Sequence, residues 1–240
     1  MVFVAILAGG KGTRVGTKVP KQFLIIDEKP VIIHTIDKFV GCNLVDQIYV
    51  SVNEMWIQHT TGLINDYYSD EVKNRIHIVN GGEERMMTLK NVVDAIAEQF
   101  ELSDNDVFLS HDAVRPFVTD EIIADCIAQT KTHKVAMASI QSADTTYRID
   151  ENGCLIDTYN RKTMYVGQTP QGCGMKLMYD IIHSFTHEEL LSLTGTSQLF
   201  IKRGYPVKVS LGSVDNIKIT TPMDIEICKI KMKEESNGED

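Results

Sequence analysis

Residues 2–24 read VFVAILAGGKGTRVGTKVPKQFL. Val2 to Leu7 is a continuous apolar run, short enough for a strand buried on both faces. It opens into a loop carrying Gly9, Gly10, Gly12 and Gly16. Lys11, Arg14, Lys18 and Lys21 lie on that loop, with no acidic residue among them. A glycine-rich turn after a first strand is where α/β sheets hold phosphate, because unblocked backbone N–H groups converge there. Two familiar phosphate motifs do not fit. The dinucleotide fingerprint needs a third glycine where Val15 stands, and a Walker A loop needs a glycine where Ala5 stands.

Outward from this loop, apolar β-branched runs alternate with amphipathic stretches. Strands are predicted at 2–7, 47–52, 75–80, 106–112, 134–140 and 206–211. Helices are predicted at 29–41, 54–68, 83–100, 119–130, 174–184, 187–200 and 222–233. That rhythm implies an α/β fold, three layers deep, around a mostly parallel sheet. It breaks at 141–168, where period-two patterning surrounds the Asn152-Gly153 turn. This stretch is predicted to be a β-arm projecting from one domain spanning 1–240, with a frayed tail after about 233.

Composition limits the function. The chain has 240 residues, 43% of them hydrophobic, enough for a sizeable core. With 24 Lys+Arg against 33 Asp+Glu, its net charge of −9 argues against nucleic acid or an anionic membrane as partner. The five cysteines form no CxxC pair, so neither a disulfide scaffold nor a zinc ribbon is expected. No segment approaches the length of a membrane span, and a cytoplasmic protein is expected.

Four further segments stand out, the first two of them following the third and fourth predicted strands. They are NGGEER (80–85) with Thr88 beyond it, HDAVRPF (111–117), TPQ (169–171) and DNIKIT (215–220). With Leu7-Ala8-Gly9-Gly10, Gly12-Thr13-Arg14 and Pro20-Lys21, they make the chain similar to nucleotidyltransferases that attach a nucleoside monophosphate to a phosphorylated alcohol. The chain resembles the cytidylyltransferases of small polyol phosphates along nearly its whole length. Two branches are in view, one acting on 2-C-methyl-D-erythritol 4-phosphate and one on ribitol 5-phosphate. HDAVRPF and DNIKITT are more similar to the ribitol branch.

The resemblance implies a Rossmann-like nucleotidyltransferase fold and a role for each matching residue. Arg14, Lys21 and Lys218 would be catalytic cations. Leu7, Ala8, Gly9, Gly10, Gly12 and Thr13 would hold the triphosphate. Gly81, Gly82 and Thr88 would form the base pocket with Ala8, and Asp112 would stand beside nucleotide and metal. Arg85 either buttresses that pocket or forms a surface ion pair. Arg115, Thr145, Arg161, Thr169 and Thr194 would meet the polyol phosphate, with Thr145 and Arg161 reaching a partner's site across a homodimer. Mg²⁺ is the implied cofactor, on Asp112 and Asp215, and CTP and a polyol phosphate are the implied substrates. The chain departs from the resembled pattern at Gly195, where both branches usually carry an aspartate. Two rivals stay open on the residues alone: a non-catalytic nucleotide-binding module, and a dehydrogenase, which lacks an acidic residue after the second strand, where Asn53 stands.

Overall fold

The computed structural model describes residues 1–9 and 19–237. Gly10, Lys11, Gly12, Thr13, Arg14 and Lys18 lie outside the described residues. β1 (Val2–Ala8) is buried along its whole length. A single 3-10 turn at Lys21–Phe23 leads to a tight hairpin, β2 (Ile25–Ile26) and β3 (Lys29–Pro30). Then follow α1 (Val31–Val40), β4 (Gln47–Val52), α2 (Ile57–Tyr67), α3 (Asp70–Lys73), β5 (Ile76–Asn80), α4 (Arg85–Gln99), β6 (Val107–Asp112), α5 (Asp120–His133) and β7 (Val135–Gln141). The arm is β8 (Tyr147–Ile149) and β9 (Leu155–Thr158). β10 (Tyr165–Gly174), α6 (Met175–His183), α7 (His187–Leu191), α8 (Thr196–Lys202), β11 (Lys208–Leu211) and α9 (Pro222–Asn237) complete the chain.

Seven strands form the central sheet in the order β11-β7-β10-β6-β1-β4-β5. β10 is antiparallel to both neighbours, and every other pairing in this sheet is parallel. β1 is the hinge of the topology. The chain runs outward from it through β4 to β5, then returns to place β6 on its other side, with Leu7 opposite Asp112. The crevice beyond the carboxyl ends of two strands that diverge in this way is where open α/β sheets bind ligands.

Alternation along β1 divides the core. Val4, Ile6 and Ala8 face the apolar layer under α1, α2 and α5. Phe3, Ala5 and Leu7 face the layer under α4, α6 and α8. A strand buried on both faces needs apolar residues at every position, as its sequence provides.

Four sequence expectations change. The stretch 187–200 is two helices, because Gly195, in extended geometry (φ −142°, ψ 145°), interrupts it and starts α8. The arm proper is shorter than 141–168, since Tyr165 to Gln168 already belong to β10 and Tyr165 pairs with Gln141 of β7. The last helix continues to Asn237, past the predicted fraying point, through the helix-favouring Lys233 and Glu234. The β2–β3 hairpin was unannounced, because its turn uses Asp27 (φ 48°) and Glu28 (φ 63°) where glycine or asparagine is the usual signal.

Candidate active site

A cleft of about 500 Å³ opens over the ends of β1 and β6. Leu7, Ala8, Gly9, Lys21, Gly82, Arg85, Thr88, Asp112 and Lys218 line it, together with Gln22, Glu83 and Glu84. A larger concavity, about 780 Å³, sits at the opposite end of the sheet, where three lysines and three aspartates balance. It collects none of the motif residues.

The floor is made by close backbone packing. Gly82 N–H donates to Thr88 Oγ1 at 3.0 Å, folding the β5–α4 loop onto the first turn of the helix. A Cβ on Gly9 would meet that same oxygen at 3.0 Å, and one on Gly82 would lie 2.5 Å from Met87 Cβ. Only glycine lets the two loops approach this closely. Gln22 secures the far side, donating from Nε2 to the Ala8 carbonyl at 2.7 Å.

Asp112 is the charge centre. It is 5% exposed at the end of β6. Arg85 Nη1 lies 2.7 Å from Oδ1, and Lys218 Nζ lies 2.8 Å from Oδ2. Arg115 Nε is also near Oδ2, at 3.5 Å. Burial alone would raise this carboxyl, but Arg85, Lys218 and Arg115 outweigh it and hold it well below the usual carboxylate range. Arg85 is thus an ion-pair partner of the central acid, not of the outer surface.

Behind Asp112 lies a buried polar frame. Asp112 N–H donates to Thr169 Oγ1 at 3.1 Å. His111 Nδ1, also 3.1 Å away, accepts the Thr169 hydroxyl proton, because the other ring nitrogen faces a carbonyl. His111 then carries its proton on Nε2, which donates to the Arg115 carbonyl at 3.1 Å. Burial pushes the imidazole down to about 4, against the opposing pull of the Arg115 carbonyl and Asp112, so it is neutral near pH 7. Arg115 Nη1 donates to the Asn216 carbonyl at 2.6 Å, and Asn216 Nδ2 donates to the Thr169 carbonyl at 2.8 Å. Arg115 and Thr169, expected at the polyol phosphate, stand in this frame, Arg115 through Nη1 and Thr169 through its hydroxyl and carbonyl.

The other expected residues are dispersed. Thr145 and Arg161 are exposed on the arm, where Arg161 Nη1 donates to the Ala143 carbonyl at 3.1 Å. Asp215, expected to hold metal with Asp112, pairs with Lys231 of α9 at 2.7 Å. Among the described residues, no three His, Cys, Asp or Glu side chains converge as a metal site. Thr194 is exposed just before α8, with its N–H on Gln198 Oε1 at 2.8 Å. Gly195 N–H reaches the same oxygen at 3.3 Å. Gln198 thus supplies half of a capping box, and a side-chain acceptor at Gly195 would complete it. An aspartate there would cap α8.

Sequence reasoning passed over Gln22, Asn216 and Gln168. Gln168 holds the 213–216 loop, donating from Nε2 to the Ser213 carbonyl at 2.8 Å. The signal was adjacency to the motifs: Gln168 precedes TPQ, and Asn216 lies inside DNIKIT.

The family model described as 2-C-methyl-D-erythritol 4-phosphate cytidylyltransferase (IspD) matches residues 2–234. A protein of Lactiplantibacillus plantarum named ribitol-5-phosphate cytidylyltransferase is 37% identical, over 98% of this chain and 100% of its own length. One of the same name from Streptococcus pneumoniae serotype 2 is 36% identical, over 95% and 97%. Among solved structures, the 4-diphosphocytidyl-2C-methyl-D-erythritol synthase of Anaerococcus prevotii superimposes with a TM-score of 0.80 at 26% identity, covering 97% of this chain and 96% of that one. The 2-C-methyl-D-erythritol 4-phosphate cytidylyltransferase of Francisella tularensis gives 0.76 at 27% identity, over 94% and 97%.

Proposed function

The chain belongs to the 2-C-methyl-D-erythritol 4-phosphate cytidylyltransferase (IspD) family, and from that premise we propose that it joins CTP to D-ribitol 5-phosphate, releasing CDP-ribitol and diphosphate. The observation that carries the acceptor is the pattern of identity. Relatives named for ribitol 5-phosphate share 36–37% over nearly full length. The Anaerococcus prevotii and Francisella tularensis structures, named for methylerythritol chemistry, share 26–27%.

A phosphate oxygen of the polyol attacks the α-phosphorus of CTP. A new O–P bond forms, the bond to the bridging oxygen breaks, and diphosphate leaves with the electron pair. The nucleophile is already an anion, so no general base is required. The barrier is the meeting of two anions and the departure of a third, which fixed cations lower. Lys21 and Lys218 supply such cations from one wall of the cleft, and Arg14 supplies another from the glycine loop. Leu7 to Thr13 hold the triphosphate through backbone N–H groups. Lys218 exchanges the Asp112 carboxylate for phosphate when substrate enters. Ala8, Gly81, Gly82 and Thr88 shape the base pocket.

Asp112 offers a single carboxylate, which fits Mg²⁺ arriving with the triphosphate and keeping most of its ligands as phosphate oxygens and water. Bound there, the ion would draw charge from the phosphate oxygens. Asp215 is a weaker candidate for the same task, since it is not among the residues that line the cleft and pairs with Lys231 of α9.

We further propose a cytoplasmic homodimer formed through the arm. Tyr147, Ile149, Leu155, Ile156, Tyr159, Tyr165 and Val166 are each at least 41% exposed, an apolar set that a second arm would cover. Thr145 and Arg161 then complete the partner's polyol site, with Thr194 contributed from α8's start.

The alternative acceptor, 2-C-methyl-D-erythritol 4-phosphate, is the one in the family model's own description. Diphosphate release with CTP and each acceptor in parallel separates the two. A tenfold higher kcat/KM with methylerythritol phosphate would reverse the choice of acceptor and keep the reaction. No release with either would favour a non-catalytic nucleotide-binding module.

A further inference from the structure

Lys218 sits on an exposed loop, yet its ammonium is placed 2.8 Å from Asp112 Oδ2. Side-chain attraction alone does not fix such a loop, because a lysine ammonium is a point charge on a flexible stem. Ile219, next in the chain, is held through its backbone by the Val114 carbonyl and Lys21 Nζ, and a side-chain anchor lies two residues before Lys218. Asn216 has no exposed surface, though Val214, Asp215 and Lys218 around it are exposed. Its Nδ2 donates to the Thr169 carbonyl at 2.8 Å, and to Gln168 Oε1 at 3.4 Å. Its own carbonyl accepts from Arg115 Nη1 at 2.6 Å. Asn216 therefore ties the loop to both β10 and the Asp112–Arg115 turn, the two elements that also hold Asp112 through Thr169 and His111.

From this geometry we infer that Asn216 is a positioning residue for the transfer reaction: it sets where Lys218 meets the reacting phosphate. The inference rests on the reading that Lys218 acts on phosphate. A buried amide with two defined partners holds its segment more tightly than an exposed ion pair does, because losing one partner leaves a buried polar group unpaired. Aim, rather than affinity, is what the contact supplies. Its loss therefore falls on kcat, since misplacement by about an ångström can cost on the order of 10²-fold.

The test is a double-mutant cycle on diphosphate release with the full-length protein, with folding followed by circular dichroism. Asn216→Ala should lower kcat at least tenfold while the KM for CTP stays within threefold. In a Lys218→Ala background the same change should cost less than threefold, because the group it aims is gone. Single-turnover diphosphate release with enzyme in excess replaces the steady-state rate if Lys218→Ala turns over too slowly to detect. If Asn216→Ala does not fold, Asn216→Ser, which retains a donor, replaces it. A wild-type-like kcat in a folded Asn216 variant overturns the inference. So does an equal fall in both backgrounds, which would mark a role independent of Lys218. Full activity of Lys218→Ala would be recognisably different, because it removes the underlying reading of Lys218 itself.

Discussion

Lys21 Nζ donates to the Ile219 carbonyl at 2.7 Å, joining residues 198 positions apart in sequence. The exit of the glycine loop is thereby fastened to the segment that carries Lys218, one residue away. Two cations from opposite ends of the chain thus share one wall of the cleft.

The first prediction follows from that placement. Lys21→Ala should lower kcat by roughly 10²-fold, with a smaller effect on CTP binding, because a fixed cation matters most where charge develops. Steady-state kinetics with varied CTP decide it. A near-normal kcat with only a raised KM would move Lys21 from transition-state stabilisation to nucleotide binding.

Gly82→Ala should damage the base pocket. The added methyl would lie 2.7 Å from the Met87 carbonyl carbon and 2.8 Å from Thr88 N, so the start of α4 has to move. We expect a loss of stability of about 1–3 kcal/mol, and a KM for CTP raised more than that for the acceptor. Gly62→Ala, where a Cβ meets nothing within 4 Å, is the control and should stabilise α2 slightly. Equal CTP affinity in wild type and Gly82→Ala would show that this loop is no part of the nucleotide site.

His111 makes the fold sensitive to moderate acid. Its folded value, pushed to about 4, lies below the ordinary histidine value, so the unfolded chain binds the extra proton first. Stability should therefore fall as pH drops from about 6.5 towards about 4, by about 3 kcal/mol in total. Asp112, also depressed, contributes stability above the usual carboxylate range and loses it only in stronger acid. The groups facing His111 are Thr169, the Arg115 carbonyl, Asp112 and the Phe39 ring. Urea unfolding at stepped pH should show the slope in wild type and a flatter one in His111→Gln. Superimposable slopes would refute the assignment to His111.

The arm yields the fourth prediction. Lys21→Ala and Arg161→Ala proteins, each inactive alone, should recover activity when mixed. One site in every mixed dimer carries neither lesion, giving about a quarter of wild-type activity at random exchange. Lack of recovery despite demonstrated subunit exchange would assign Arg161 to its own subunit.

Much of this molecule is legible in the order of its residues. Short, β-branched apolar stretches such as VFVAIL and QIYVSV suit strands covered on both faces, and these strands run where expected, β1 and β4 included. Gly9, Gly82 and the HDAVRP and DNIKIT segments, singled out in the sequence, line one cleft, because short-range backbone demands are written locally. What the sequence left open depends on contacts between distant segments. Nothing local in HDAVRP says that Asp112 takes Arg85 from α4 and Lys218 from the 215–220 loop at once. Asp215 carries the charge of a metal ligand, but the packing of α9 gives it Lys231 instead. Arg115 and Thr169 have the side chains of phosphate ligands, and only the antiparallel placement of β10 beside β6 turns them into the frame behind Asp112. Sequence determined which groups are available. Tertiary structure decided which of them are already satisfied by one another, since a buried polar atom takes whatever partner the fold brings within reach.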